Sequence, residues 1–177
     1  EETRSKVLRA AEQLGYRPSR VARRLRMVAT QILGLVLSDI SLPFSTSVVR
    51  GVEVVAYANR YSLLLCNSNE DLTREELHIQ VLLAEKVAGV IISPTDEDST
   101  TCAPLVESGI PVVAMDRRLR RLKVDTVVVD NVQATYDAVS HLIHLGHSRI
   151  GLITGPAYIS TARERREGPD GTWYRTG

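Results

Sequence analysis

ILGLVLS, residues 32–38, is a run of seven uncharged residues rich in Ile, Leu and Val. It is too short for an ordinary helix and lacks apolar–polar alternation, so it reads as a strand buried on both faces. YSLLLCN (61–67), AGVIIS (88–93), IPVVAMD (110–116), VDTVVVD (124–130) and RIGLITG (149–155) share its texture. Helical patterns over 47–60, 72–86, 99–108 and 131–145 separate most of these runs, and only VDTVVVD follows its predecessor directly. Strands alternating with helices make right-handed crossovers, which predicts a doubly wound α/β domain with a parallel sheet.

The 177 residues are 44% hydrophobic and 24% charged, a globular balance that excludes a fully disordered chain. The net charge of +1 names no partner, but its distribution does. Eight Lys/Arg against three Glu give residues 1–30 a charge of +5 and leave −4 for the remainder. A basic arm on a mildly acidic body is the asymmetry expected when one end meets a polyanion. Within that arm, RPSRVARRLR (17–26) places five arginines in ten positions. On a helix Val21 and Leu25 share a face, with Ala22 beside them and Ser19 as N-cap. So short a helix is marginal alone in water and is expected to form against a partner. The plain alternative is a solvated, charged helix end. Upstream, Val7, Ala10, Ala11 and Leu14 repeat at helical spacing over 3–14, with Gly15 at the C-terminal cap position.

Several function classes find no support. Cys66 and Cys102 form neither a C-x-x-C pair nor a disulfide framework, and read as small buried hydrophobes. No apolar run reaches the length of a membrane span and the first residues are not signal-like, so no membrane role and a cytoplasmic location are expected. No dinucleotide or phosphate loop and no G-x-S-x-G elbow is present. His141 and His144 lie three apart without matching Glu or Cys, a spacing commoner on a packed or solvated helix face than in a metal site. His147, after Gly146, suits a helix C-terminus. No catalytic residue, cofactor or metal is expected.

A ligand site is. In open α/β sheets ligands bind beyond the carboxyl ends of the strands. Gathered there are Ser38 and Asp39, Asn67, Ser93, Asp116 with Arg117, Asp130 with Asn131, and the turn after Thr154. A carboxylate and a guanidinium near an exposed Phe44 would suit a small polyol, sugar or purine. Asp130 serves equally well as the cap of the following helix.

Taken together, these stretches resemble one family. EETRSKVLRAAEQLGYRPSRVARRLR resembles the last headpiece helix and the hinge helix of lactose-repressor (LacI/GalR) regulators. ILGLVLSDISLPF, MDR, VVVDN, HLGHSRIGLITGP and ISTARERREG resemble their effector-binding core, in the expected order. The resemblance implies a periplasmic-binding-protein-like doubly wound fold, incomplete at both ends. Its expected parts are the last headpiece helix (1–17), a hinge helix and linker (18–30), an N-terminal effector-binding subdomain lacking its returning strand (31–130) and the start of a C-terminal one (131–168). Residues 169–177 are expected to be a tail foreign to the family, such as an out-of-frame reading would produce.

For function, the resemblance implies an effector-responsive, DNA-binding transcriptional repressor that acts as a homodimer. Paired hinge helices would enter the minor groove of operator DNA, with Leu25 wedged between base steps and Val21 and Ala22 against the partner helix or the groove. Arg20, Arg23, Arg24 and Arg26 would meet phosphates or the groove floor. Ser19 stands where many members carry Asn. The effector pocket carries over to Ser38, Leu42, Phe44, Asp116, Thr161 and Arg165. Ile159 stands where some members have a polar or basic contact, which favours a sugar or sugar-like metabolite over an acidic effector. The alternative is a periplasmic-type sugar-binding protein on the same core, against which the basic arm argues.

Overall fold

The computed structural model describes residues 5, 6, 9, 13 and 30–167. The chain divides into two units, 1–30 and 31–177. In the first, Ser5, Lys6, Arg9 and Gln13 are helical and exposed. The hinge assignments Ser19, Arg20, Val21, Ala22, Arg23, Leu25 and Arg26 and the tail 169–177 lie outside the described residues.

The second unit runs β1 (Ile32–Leu37), α1 (Pro43–Ala58), β2 (Ser62–Asn67), α2 (Leu72–Glu85), β3 (Gly89–Ile92), α3 (Ala103–Glu107), β4 (Val112–Met115), β5 (Asp125–Val127), α4 (Asn131–His144) and α5 (Ser160–Glu167). The sheet is parallel throughout, in the order β2-β1-β3-β4-β5. Period-two alternation sorts its side chains onto two faces, and both are covered, as continuous apolar runs require. Leu35, Leu37 and Met115 pack with Val48, Val49 and Val52 of α1. Val36, Cys66, Val90, Ile92 and Ala114 pack with Ile79 and Leu82 of α2 and Leu105 of α3. At Gly34 α2 comes close: a Cβ there would lie 2.8 Å from Leu82 Cδ2. Both cysteines are buried as expected, and burial pushes the Cys102 thiol up to about 12.

The boundaries that differ from expectation have local causes. α1 begins at Pro43, earlier than the pattern over 47–60, because proline fits the first helical position. α2 closes on Lys86, which adopts the left-handed conformation (φ 50°) as C-cap. α3 keeps only part of 99–108, beginning at Ala103 with Pro104 in its first turn. β5 ends at Val127, opposite Met115, where its pairing with β4 ends. The strand expected over 149–155 does not form. None of the described strands pairs with it, and a strand without ladder partners leaves its backbone groups unsatisfied. Ile153 accordingly stands fully exposed. Among the described residues no helix is long and apolar enough to cross a membrane.

Candidate functional site

The strand order reverses between β1 and β3, and at such a switch point the loops leaving the two strands part and open a crevice. Ser38 leaves β1 there and Ser93 leaves β3, both buried. Asp116 leaves β4 in the left-handed conformation (φ 64°), which Asp tolerates better than most residues.

Beside it, Arg117 is buried, with both of its terminal nitrogens engaged. Its Nη1 and Nη2 donate to the two carboxylate oxygens of Glu70 at 2.9 and 2.7 Å, and Nη1 also donates to the carbonyl of Pro94 at 3.2 Å. The Glu70 N–H in turn donates to the Ser38 carbonyl at 2.9 Å, so the pair ties the loops after β1, β2, β3 and β4 together. Burial opposes the Arg117 charge, but Glu70, Asp116 and Glu97 outweigh it and leave the guanidinium pKa above its ordinary value. Its Nε is buried without a hydrogen bond, 3.9 Å from Asp116 Oδ2.

A second cluster forms between α4 and α5. The buried Asn131 accepts from Arg165 Nε at 2.9 Å and donates to Glu164 Oε2 at 3.0 Å and to the Val129 carbonyl at 3.2 Å. Thr161 and Arg165 line a pocket of about 210 Å³ together with Arg117, Thr135, Ile159 and the Thr154–Pro156 turn. That is smaller than the roughly 300–1,000 Å³ of sites for drug-sized ligands and suits a molecule of monosaccharide size.

Asp116 joins the two clusters electrostatically. Burial pushes its carboxyl pKa up, Arg117 and Arg165 pull it down, Glu70 and Glu164 push it up, and the net result is raised. Around Asp116, two further carboxylates (Glu70, Glu164) thus offset the two guanidiniums (Arg117, Arg165) that also line the pocket.

Of the expected pocket residues, the structure places Thr161 and Arg165 in one pocket and Asp116 within electrostatic reach of Arg165. Ser38 joins them through its carbonyl and Glu70. Leu42 and Phe44, each 48% exposed, sit at the start of α1 and do not line that pocket. Asp130 takes the capping role, accepting from the Gln133 N–H at 2.9 Å. Among the described residues no group of three or more His, Cys, Asp and Glu is placed to hold a metal. Glu70 and Glu97 carried no periodicity or motif that marked them, and Glu164 lay within ISTARERREG without being singled out.

Asp116 gives a pH-dependent prediction. A carboxyl with a raised folded-state pKa costs stability above that pKa, and the cost disappears once pH falls below the unfolded-state value. Asp116→Asn mimics the protonated form and accepts the same backbone. It is expected to raise Tm at pH 7, with a gain over wild type that shrinks as pH falls through the raised range. Thermal melts from pH 7 to pH 3 check this, and a gain that grows on acidification contradicts it.

A sequence model of "Periplasmic binding proteins and sugar binding domain of LacI family" matches residues 30–177. The chain is 38% identical over 171 residues to "Probable HTH-type transcriptional regulator EndR" of Paenibacillus polymyxa, covering 95% of this chain and 50% of that protein. A periplasmic binding protein/LacI transcriptional regulator from Alkaliphilus metalliredigens QYMF, complexed with D-xylulofuranose, superposes with TM-score 0.70 at 30% identity, covering 80% of this chain and 52% of that one. The lac repressor dimer bound to operator and the anti-inducer ONPF superposes with TM-score 0.75 at 26% identity, covering 94% and 51%. The chain spans about half the length of the curated relatives it matches.

Proposed function

Since this chain belongs to the family of periplasmic binding proteins and LacI-type sugar-binding domains, we propose that it is part of a cytoplasmic, homodimeric transcriptional repressor controlled by a small neutral sugar. The observation that carries the reading is the pocket beside Asn131, where Arg165 is aimed by its Nε bond while the surrounding charges already balance it. A fixed guanidinium suits vicinal hydroxyls, and Asp116 supplies an acceptor for them. The relative complexed with D-xylulofuranose supports a pentose-sized sugar. Ser38, Leu42 and Phe44 would close over the ligand from the β1 side, and the subdomain boundary falls at 130/131. Binding between the two subdomains would bias the placement of paired hinge segments, a two-state coupling between sugar and DNA.

Residues 19–26 supply the DNA contact in this reading. Ser19 caps the hinge helix, Leu25 enters the minor groove with Val21 and Ala22 beside it, and Arg20, Arg23 and Arg26 neutralise phosphates. The lac repressor dimer bound to operator supports DNA as the partner. The reading makes the protein a binding protein and not an enzyme. Fluorescence anisotropy with a labelled duplex over a salt series tests it. The expected result is a steep fall in affinity with salt, and a further loss for Leu25→Ala with sugar binding unchanged. A flat salt dependence would instead favour a sugar-binding protein with no DNA role.

A further inference from the structure

Glu97 lies in the loop after β3, far in sequence from the pocket helix, yet it touches that helix. The residue is 5% exposed, and its Oε1 accepts the backbone N–H of Ser160, the first residue of α5, at 2.8 Å. Its other oxygen, Oε2, lies 3.0 Å from Arg120 Nη2, an ion pair whose angles leave that oxygen without a hydrogen bond. The Arg120 N–H donates to the Glu97 carbonyl at 2.8 Å. Arg120 belongs to the segment leaving β4 that also carries Asp116 and Arg117. One buried carboxylate therefore joins the loop after β3, the loop after β4 and the start of α5.

The first N–H groups of a helix have no acceptor within it and carry the positive end of its dipole. A buried carboxylate bonded at that end fixes where the helix begins. Thr161 follows Ser160 directly, and Arg165 lies about one turn further along the same rigid element. We propose that Glu97 is a positioning residue for the pocket, seating α5 so that Thr161 and Arg165 line it with Arg165 in electrostatic reach of Asp116. This rests on the reading that Asp116 and Arg165 work in one site. Arg120, half-exposed, offsets the charge of the carboxylate.

The test reads Asp116 itself, by NMR titration of its labelled carboxyl in the full chain, with Arg165→Ala as reference. Arg165→Ala removes a cation that holds the Asp116 pKa down, so the pKa rises. If Glu97 seats α5, Glu97→Ala moves Arg165 away and raises the Asp116 pKa by roughly half or more of the Arg165→Ala change. Deleting the negative charge of Glu97 could by Coulomb's law only lower a neighbouring carboxyl's pKa, so a rise reports geometry. Glu97→Gln, whose amide oxygen can accept the same N–H, should stay near wild type.

Should Glu97→Ala fail to fold, Ser160→Pro removes the donor at a position where helices accept proline, and the same rise is expected. A rise with Arg165→Ala but with neither Glu97→Ala nor Ser160→Pro overturns the positioning role and leaves the pocket intact. No rise with Arg165→Ala overturns the pairing of Asp116 with Arg165, and the proposal with it. A purely structural cap would lower Tm in Glu97→Ala without moving Asp116, and that result also overturns the proposal.

Discussion

Arg117→Ala is expected to lower the unfolding free energy by about 2–4 kcal/mol. The guanidinium is 8% exposed and makes the bidentate pair with Glu70, so its removal takes the donor from a partly buried carboxylate and a buried carbonyl. The carbonyl of Pro94 loses its donor, and Asp116 loses the larger of the two cations that hold its charge. Breaking a buried ion pair from one side typically costs 3–5 kcal/mol. The lower range applies here because the Glu70 side chain is 43% exposed and can recover water. Arg74→Ala is the control: its pair with Asp71 is exposed on both sides, 59% and 48%, and its loss should cost far less. Urea denaturation of both variants at pH 7 checks the pair. Equal losses would mean that the Arg117 network adds nothing beyond a surface contact.

Arg165→Ala is expected to weaken sugar binding by roughly 10- to 100-fold, the equivalent of one or two hydrogen bonds to a charged group. Its effect on folding should be small, because Arg165 is exposed and its one described hydrogen bond goes to Asn131. Asn131→Ala separates aiming from contact. It leaves the guanidinium in place but removes its guide and the link to Glu164. It should therefore weaken binding and stability together. Titration calorimetry alongside thermal melts distinguishes the two variants, and unchanged affinity in Arg165→Ala would displace the pocket assignment.

The sheet was legible because burial on both faces writes itself as uninterrupted apolar runs, and five of the six runs became strands. RIGLITG carries the same texture, but a strand is a pairing and not a property of one segment. No partner for it stands among the described residues. Helix starts were less legible. Pro43 marks the start of α1, whereas the apolar pattern alone pointed to a later one. The site was half legible: strand-end polar residues were visible by position, so Asp116, Arg117 and Asn131 could be gathered. What they do was not, because Glu70 reaches Arg117 across 47 residues and Glu97 reaches Ser160 across 63. Such pairings have no period and no fixed spacing. Only the folded topology brings them together.

The most direct measurement is a calorimetric titration of the chain at pH 7 with neutral pentoses and hexoses, each set beside its phosphate monoester. The charge balance around Asp116, with Glu70 and Glu164 set against Arg117 and Arg165, predicts saturable heat with at least one neutral sugar and less or none with its phosphate. Tighter binding of a phosphate ester, or no heat from any sugar, would contradict the account.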